Sequence, residues 1–216
     1  YFFYTLARFR KARNPKADYV GVTSRTSSWL EAGVAIFEVI LLAAFAIPLW
    51  AKRVNQFPDE KNAEVVHVIA QQFAWNFHYP GPDHKFGKRD SKFVSEDNVL
   101  GLDPNDPDGK DDLITQGESH LPVNKPVIIR ITSKDVIHSF AIPQMRVKQD
   151  AIPGQAIPVW FKPIKTGKFE IVCAQLCGNN HFKMRGLLVV ESEKDFAEWQ
   201  KKQAATARRD GGRLLR

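Results

Sequence analysis

The sequence predicts an all-β domain, a sandwich or barrel, that follows a membrane-spanning helix. Six short runs rich in β-branched and aromatic residues are separated by Pro and Gly turn signals, as in β-sandwiches and barrels. The six runs are Val65–Ala70, Phe73–Tyr79, Val127–Thr132, Ile157–Phe161, Gly167–Val172 and Leu187–Glu191. A long apolar stretch precedes them, and the only two cysteines of the chain lie between the last two runs.

Residues 1–28 are predicted to be the end of a first transmembrane helix followed by a basic cytoplasmic connector. The aromatic segment Tyr1–Leu6 is typical of a hydrophobic helix, which would begin before Tyr1, and basic residues follow it up to Arg25. Basic connectors stay in the cytoplasm. The segment after Arg53 is therefore expected on the outer side of a bacterial inner membrane, which is its periplasmic face.

Residues 29–53 are predicted to cross the membrane. Ala32–Trp50 is an apolar stretch whose single charge is Glu38. At 1.5 Å per residue it would span about 28 Å, close to the thickness of a bilayer's hydrocarbon core. We therefore expect a helical hairpin in the membrane that carries an external domain.

Residues 54–193 are predicted to form the external domain, with an acidic insertion at 96–118 and a basic tail at 194–216. The insertion has eight acidic residues against Lys110 alone. Lys and Arg outnumber Asp and Glu by seven to three both in residues 1–52 and in residues 194–216. The formal net charge of +7 thus lies at the two ends. The domain between these ends carries no excess of basic residues, so its charge does not indicate nucleic-acid binding.

The loop Cys173–Met184 concentrates side chains that bind soft metals. It holds two cysteines, His181 and a methionine within twelve residues. Thiolate and thioether sulfurs favour copper, and imidazole suits copper as well. The residues alone leave three alternatives open: a disulfide in an extracytoplasmic domain, half of a zinc site, or two buried structural thiols.

Two segments resemble the subunit II family of haem-copper oxidases. The loop reads Cys-x3-Cys-Gly-x2-His-x2-Met, and the segment Asp135–Gly154 contains a His followed by Lys-x-Asp-Ala-x-Pro-Gly. The resemblance implies a cupredoxin-like Greek-key domain with a binuclear copper centre, CuA. It assigns the copper ligands as follows: Cys173 and Cys177 bridge two copper ions, His138 and His181 each bind one, Met184 is an axial ligand and Gln175 offers its backbone carbonyl.

The chain departs from the family at several functional positions. The family has Glu at position 175, where the carboxylate helps to bind magnesium, and Gln175 puts that magnesium site in doubt. The family's electron-accepting Trp corresponds to Phe73, and Trp75 matches the second Trp of that segment. Glu31 matches an acidic residue near a proton channel of subunit I. His67, His78, His84 and His120 match no ligand position.

The resemblance implies a subunit that accepts electrons from a cytochrome c and passes them to haem in subunit I, where oxygen is reduced to water. The donor must be a separate protein, because the chain has no Cys-x-x-Cys-His haem-attachment motif. Phe73 and Gln175 resemble bacterial oxidases that associate with alternative complex III, whose cytochrome c domain would then be the donor. The alternatives are the CuA subunit of a nitric oxide reductase and a copper-free, membrane-tethered subunit of a quinol oxidase.

Overall fold

The computed structural model describes residues 1–16, 19–20 and 23–209, with side chains to Thr206. The chain divides into two compact units between Lys52 and Arg53. The first unit is helical. The second contains every strand that the structure describes.

One helix is long and apolar enough to cross a membrane among the described residues. The short helix α1 (Phe2–Phe9) precedes a continuous helical stretch from Thr26 to Asn55, about 45 Å long. That stretch consists of α2 (Thr26–Leu41), a π-helical turn (Leu42–Ala46) and α3 (Ile47–Asn55). The wide turn lies just before Pro48, whose ring cannot accept normal α-helical spacing against the carbonyl four residues earlier.

The described residues contain ten strands, which form two five-stranded sheets. They are β1 (Glu64–Gln71), β2 (Ala74–Tyr79), β3 (Leu113–Gln116), β4 (Glu118–Pro122), β5 (Val127–Ser133), β6 (His138–Ile142), β7 (Val147–Ala151), β8 (Ile157–Phe161), β9 (Gly167–Cys173) and β10 (Arg185–Glu191). The strand orders are β3-β2-β1-β5-β8 and β4-β10-β9-β6-β7. The β1–β5 and β4–β10 pairs are parallel, and the other neighbours are antiparallel.

The core lies between the two sheets. Alternate residues of each strand enter it, among them Val66 and Val68 of β1 and Phe77 of β2. The second sheet contributes Phe140 and Ile171, which are also almost fully buried. The predicted β-sandwich is therefore present, and all six predicted runs are strands. The sequence reading missed β3, β4, β6 and β7.

The acidic insertion is not a loop throughout. Residues Leu113–Gln116 form β3, which pairs with β2 at the edge of the first sheet. The preceding segment covers the outer face of that sheet. His78 bonds Asp112 through Nε2 at 2.5 Å, and His67 stacks on Phe86 with ring centroids 3.8 Å apart. Asp112 of the insertion and Phe86 of the segment before it thereby cover two histidines that match no copper ligand.

The predicted basic tail is a helix over its described part. Helix α4 (Glu193–Arg209) packs on the sandwich through Phe196, which is 4% exposed, and Trp199, which stacks on His120. Ser192 caps its first turn by accepting a hydrogen bond from Asp195 N. The sequence reading assigned no helix to this segment, whose apolar residues Phe196 and Trp199 lie three positions apart, as on one face of an amphipathic helix. Residues 210–216 lie outside the described part.

Candidate metal centre

Two connections meet at one end of the sandwich. The turn 134–137 joins β5 to β6, and the loop 174–184 joins β9 to β10. They are adjacent because β6 pairs with β9, with Phe140 opposite Cys173. The loop is also held by a hydrogen bond from Ala174 N to Ser139 O at 2.9 Å. Residues far apart in sequence are thus brought to one place by strand pairing.

Five side chains with soft or imidazole donors converge there. The measured separations are Cys173 Sγ to Cys177 Sγ 3.8 Å, Cys173 Sγ to His138 Nδ1 4.0 Å, Cys177 Sγ to His181 Nδ1 3.6 Å, Cys177 Sγ to Met184 Sδ 3.7 Å and Met184 Sδ to His138 Nδ1 3.1 Å. Two thiolates that share one ion at a bond length of about 2.3 Å and a tetrahedral angle lie about 3.8 Å apart. The two cysteines therefore fit a shared metal.

The protein holds these donors as separate, mostly buried groups. Both cysteines are free thiols, and their sulfur separation far exceeds the 2.05 Å of a disulfide bond. His138 is fully buried, and Met184 and Cys177 are nearly so. Burial, followed by the hydrogen bond between this thiol and Cys173, raises the pKa of the Cys177 thiol to about 11. A bound cation would relieve that cost by replacing the proton.

Gln175 contributes its backbone carbonyl, and no charged group, to the candidate centre. The Gln175 carbonyl oxygen lies 3.1 Å from Cys173 Sγ, so this carbonyl faces the candidate centre whatever its side chain is. The Gln175 side chain is exposed and offers no carboxylate. His138, Cys173 and Cys177 form a group whose ligand atoms lie within 4.8 Å of one another and could hold a metal ion.

Asp135 positions the imidazole of His138. One carboxylate oxygen of Asp135 accepts hydrogen bonds from His138 Nε2 at 2.8 Å and from Val136 N at 2.7 Å. The other accepts from Gln72 N at 2.7 Å. Burial opposes the charge of Asp135, but these hydrogen bonds outweigh it and lower its pKa. Because Nε2 is engaged by the carboxylate, Nδ1 faces the sulfurs, as expected of a metal-binding histidine with a carboxylate partner.

The β1–β2 hairpin supports the loop from the other side. Gln72 Nε2 donates to Cys177 O at 2.6 Å. Gly178 has φ +136°, and a Cβ at that position would lie 2.8 Å from Gln72 Nε2 and 3.1 Å from the Phe73 ring. A residue with a side chain would push the hairpin away from the loop. Sequence reasoning assigned no role to Asp135, Gln72 or Gly178, although Asp135 lies three residues before the predicted ligand His138.

The remaining predicted residues are not all at the centre. Trp75 is fully buried, with its ring centroid 6.1 Å from His138 and 5.2 Å from Phe140, so it makes no direct contact with an outside protein. Phe73 is partly buried beside Gly178. Glu31 lies in α2, in the other unit, and is exposed. Leu176 and Phe182, each 76% exposed, are the apolar residues that the cysteine loop presents to solvent.

Comparison with known proteins decides the family. A model described as "Cytochrome C oxidase subunit II, periplasmic domain" matches residues 64–192. The alternative cytochrome c oxidase subunit 2 of Bradyrhizobium diazoefficiens is 35% identical over 205 residues, which cover 94% of this chain and 73% of that protein. The chain belongs to the subunit II family of cytochrome c oxidases. The predicted family is thereby confirmed.

Other members agree with this membership and with the fold. Cytochrome c oxidase subunit 2 of Cereibacter sphaeroides is 30% identical over 210 residues, covering 91% of this chain and 66% of that protein. The crystal structure of the periplasmic domain of subunit II of cytochrome oxidase of Bradyrhizobium japonicum matches with a TM-score of 0.51 and 32% identity. The match covers 69% of this chain and 97% of that domain. The predicted cupredoxin-like sandwich is confirmed, and the relatives are subunits of an oxidoreductase complex.

Proposed function

We propose that this chain carries a binuclear copper centre and is the electron-accepting subunit of a respiratory haem-copper oxidase. The observation that carries the proposal is the 3.8 Å separation of the two cysteine sulfurs, with two imidazoles and a thioether around them. Soft sulfur donors combined with imidazole select copper over hard cations. A thioether in the donor set also favours copper over a structural zinc site, whose ligands are Cys and His.

The ligands are assigned by position in the loop and in the family. Cys173 and Cys177 would hold both ions, His138 and His181 would hold one each, and Met184 would be a weaker ligand. The Gln175 carbonyl is the sixth group. When bound, the copper pair supplies a site that gains and loses one electron reversibly.

The protein's contribution is to restrain the positions of the donor atoms. The cysteine loop is tied to β6 through Ala174, and the Asp135 carboxylate stops rotation of the His138 ring. Gln72 ties the hairpin to the backbone carbonyl of Cys177. Ligands that cannot move keep the same geometry in both oxidation states. Electron transfer then needs little rearrangement of the protein.

Electrons would arrive from a separate cytochrome c and leave for haem in subunit I. Because Trp75 is buried, the outer contact falls to Phe73 or to the exposed apolar pair Leu176 and Phe182. A cytochrome c domain of alternative complex III is the proposed donor where such a complex is present. The apolar helix anchors the chain in a bacterial inner membrane, with the copper domain on the periplasmic side and Glu31 near the cytoplasmic end of the helix.

Two features separate this proposal from its alternatives. Copper-free quinol oxidase subunits of this family lack the cysteines, which this chain retains. A nitric oxide reductase would use the same copper module with another catalytic subunit, so the identity of that subunit distinguishes the two. The neutral Gln175 side chain argues against a magnesium ion held by this residue.

The test is electron paramagnetic resonance of the purified full chain after copper loading. We expect the spectrum of one electron shared between two copper ions. The chain offers a matched pair of variants because it has only two methionines. Met184→Leu should change the spectrum, whereas Met145→Leu, outside the centre, should not. Cys173→Ser and Cys177→Ser should each abolish the shared-valence spectrum. Copper analysis that finds no copper on the native protein would overturn the proposal.

A further inference from the structure

Lys134, the first residue after β5, bonds three separate segments of the chain. Its backbone N–H donates to Ala70 O at 3.0 Å, near the end of β1. Its ammonium group donates to the side-chain carbonyl of Gln71 at 3.1 Å and to Val99 O, in the acidic insertion, at 2.6 Å. Lys134 therefore joins the insertion to the end of the sandwich that carries the candidate centre.

The turn of the insertion that presents Val99 has a fixed shape. The Asn98 side chain closes it, since Oδ1 accepts from Leu102 N at 2.9 Å and Nδ2 donates to Leu102 O at 2.8 Å. Gly101 has φ +66°, and a Cβ at that position would lie 2.4 Å from Asp90 O. The carbonyl of Val99 is therefore a preorganised hydrogen-bond acceptor.

The residue after Lys134 is Asp135, the acceptor that orients the candidate ligand His138. Its carboxylate accepts from Gln72 N, Val136 N and His138 Nε2. The turn 134–137 is thus joined to the end of β1 by Lys134 and to the β1–β2 hairpin by Asp135. Without the first connection the turn can shift against the hairpin, and the hydrogen bonds of Asp135 weaken as they lose alignment.

We propose that Lys134 is a positioning residue through which the acidic insertion restrains His138. The insertion holds the Lys134 ammonium group, Lys134 holds the turn against β1, and Asp135 in that turn orients the His138 ring. The effect on copper rests on the proposed function, whereas the restraint on His138 is present without metal. The insertion thereby supports the candidate centre although none of its residues is an assigned ligand.

Solvent exchange of single N–H groups, followed by nuclear magnetic resonance on the metal-free full chain, tests the restraint. The informative groups are the three donors that share Asp135: Gln72 N–H, Val136 N–H and His138 Nε2–H. Lys134→Met should make all three exchange about three- to five-fold faster, because interactions of exposed charged side chains shift an equilibrium by up to about five-fold. The internal control is Ala174 N–H, which bonds Ser139 O at the same end and should keep its rate.

Two further variants separate the insertion from a general effect of charge. Gly101→Ala changes the insertion side of the contact, because its Cβ would displace Asp90 O, and it should speed the exchange of the same three groups. Gly154→Ala is its matched control, with φ +77° but open space around the Cβ. Lys125→Met removes an ammonium group before β5, where it bonds Glu64, and should leave the three rates unchanged.

Copper affinity, measured by competition with a chelator, tests the consequence for the centre. Lys134→Met should lower it about three- to five-fold. Combined with Asp135→Asn it should add little to the loss, because Lys134 acts through Asp135.

The proposal is overturned by unchanged exchange of the three groups in Lys134→Met or Gly101→Ala, by equally faster exchange of Ala174 N–H, or by fully additive losses of copper affinity. Absence of copper binding by the unaltered chain would instead refute the proposed function. The exchange rates of the metal-free chain would then still decide whether Lys134 restrains His138.

Discussion

Replacing Asp135 by Asn should weaken copper binding without unfolding the domain. Asp135 receives hydrogen bonds from three N–H groups: His138 Nε2, Val136 N and Gln72 N. Asparagine has one carbonyl oxygen, and its NH₂ group would face one of these donors. Either the His138 ring or the β1–β2 hairpin therefore loses its acceptor.

The expected size follows from the bond that is lost. A hydrogen bond to a charged group contributes about 1.5–3 kcal/mol. Carboxylate partners of metal-binding histidines typically affect metal affinity by about 10- to 100-fold, which is about 1.4–2.7 kcal/mol. The two ranges agree. We therefore expect Asp135→Asn to bind copper between 10 and 100 times more weakly than the unaltered chain.

The assay is a copper titration against a chelator of known affinity, followed by absorbance at fixed pH. Asp150→Asn is the matched control, because Asp150 is a half-exposed aspartate near the same end whose partner, Lys148, lies 3.8 Å away. It should leave copper affinity within two-fold. Equal affinity of Asp135→Asn and the unaltered chain would refute the positioning role. An equal loss in Asp150→Asn would show a general effect of charge.

Three further changes test other parts of the structure. Gly178→Ala should destabilise the folded domain by about 1–3 kcal/mol in denaturant unfolding, because the new Cβ strains the backbone and contacts Gln72. Gly154→Ala should cost less, because Gly154 also has a positive φ but faces open space. Equal losses of stability in the two variants would contradict the close approach at Gly178. Phe196→Ala should lower the free energy of unfolding by about 3–5 kcal/mol in the same assay, whereas Phe182→Ala, at an exposed position, should leave it almost unchanged. A small decrease for Phe196→Ala would mean that α4 does not stabilise the sandwich. Burial, then the charges of His78 and Arg89, lowers the pKa of His67 from 6.5 to about 3, so the unfolded chain binds a proton that the folded chain does not. Stability should therefore fall by about 1.4 kcal/mol per pH unit between about pH 6.5 and pH 3. His67→Phe should remove this contribution when unfolding is measured at pH 7 and 5, and an unchanged slope would contradict it.

The sequence allowed prediction of the strands whose side chains alternate or are uniformly apolar. β5, for example, is rich in β-branched residues and was predicted almost to its bounds. β4 and β7 were missed because their sequences, Glu118–Pro122 and Val147–Ala151, are mostly polar or small. They become strands because neighbouring strands supply their hydrogen bonds, which is tertiary information.

The candidate centre was predictable in its donors but not in its supports. Sulfur and imidazole at short spacing indicate a metal from their chemistry, and the family resemblance added His138 from another part of the chain. Asp135, Gln72 and Gly178 carry no such chemical marker. Their roles depend on the hairpin and the cysteine loop lying side by side, which only the folded sheets determine.

The position of the centre follows from the sheet topology. His138 begins β6 and Cys173 ends β9, and these two strands are neighbours, so their ends cannot separate without breaking the second sheet. The hairpin that bonds Asp135 and the Cys177 carbonyl belongs to the first sheet, so both sheets restrain the donors. At the proposed copper centre, ligands held in this way would stay in place during electron exchange. The same rigidity implies that Asp135→Asn should change metal affinity more than it changes the fold.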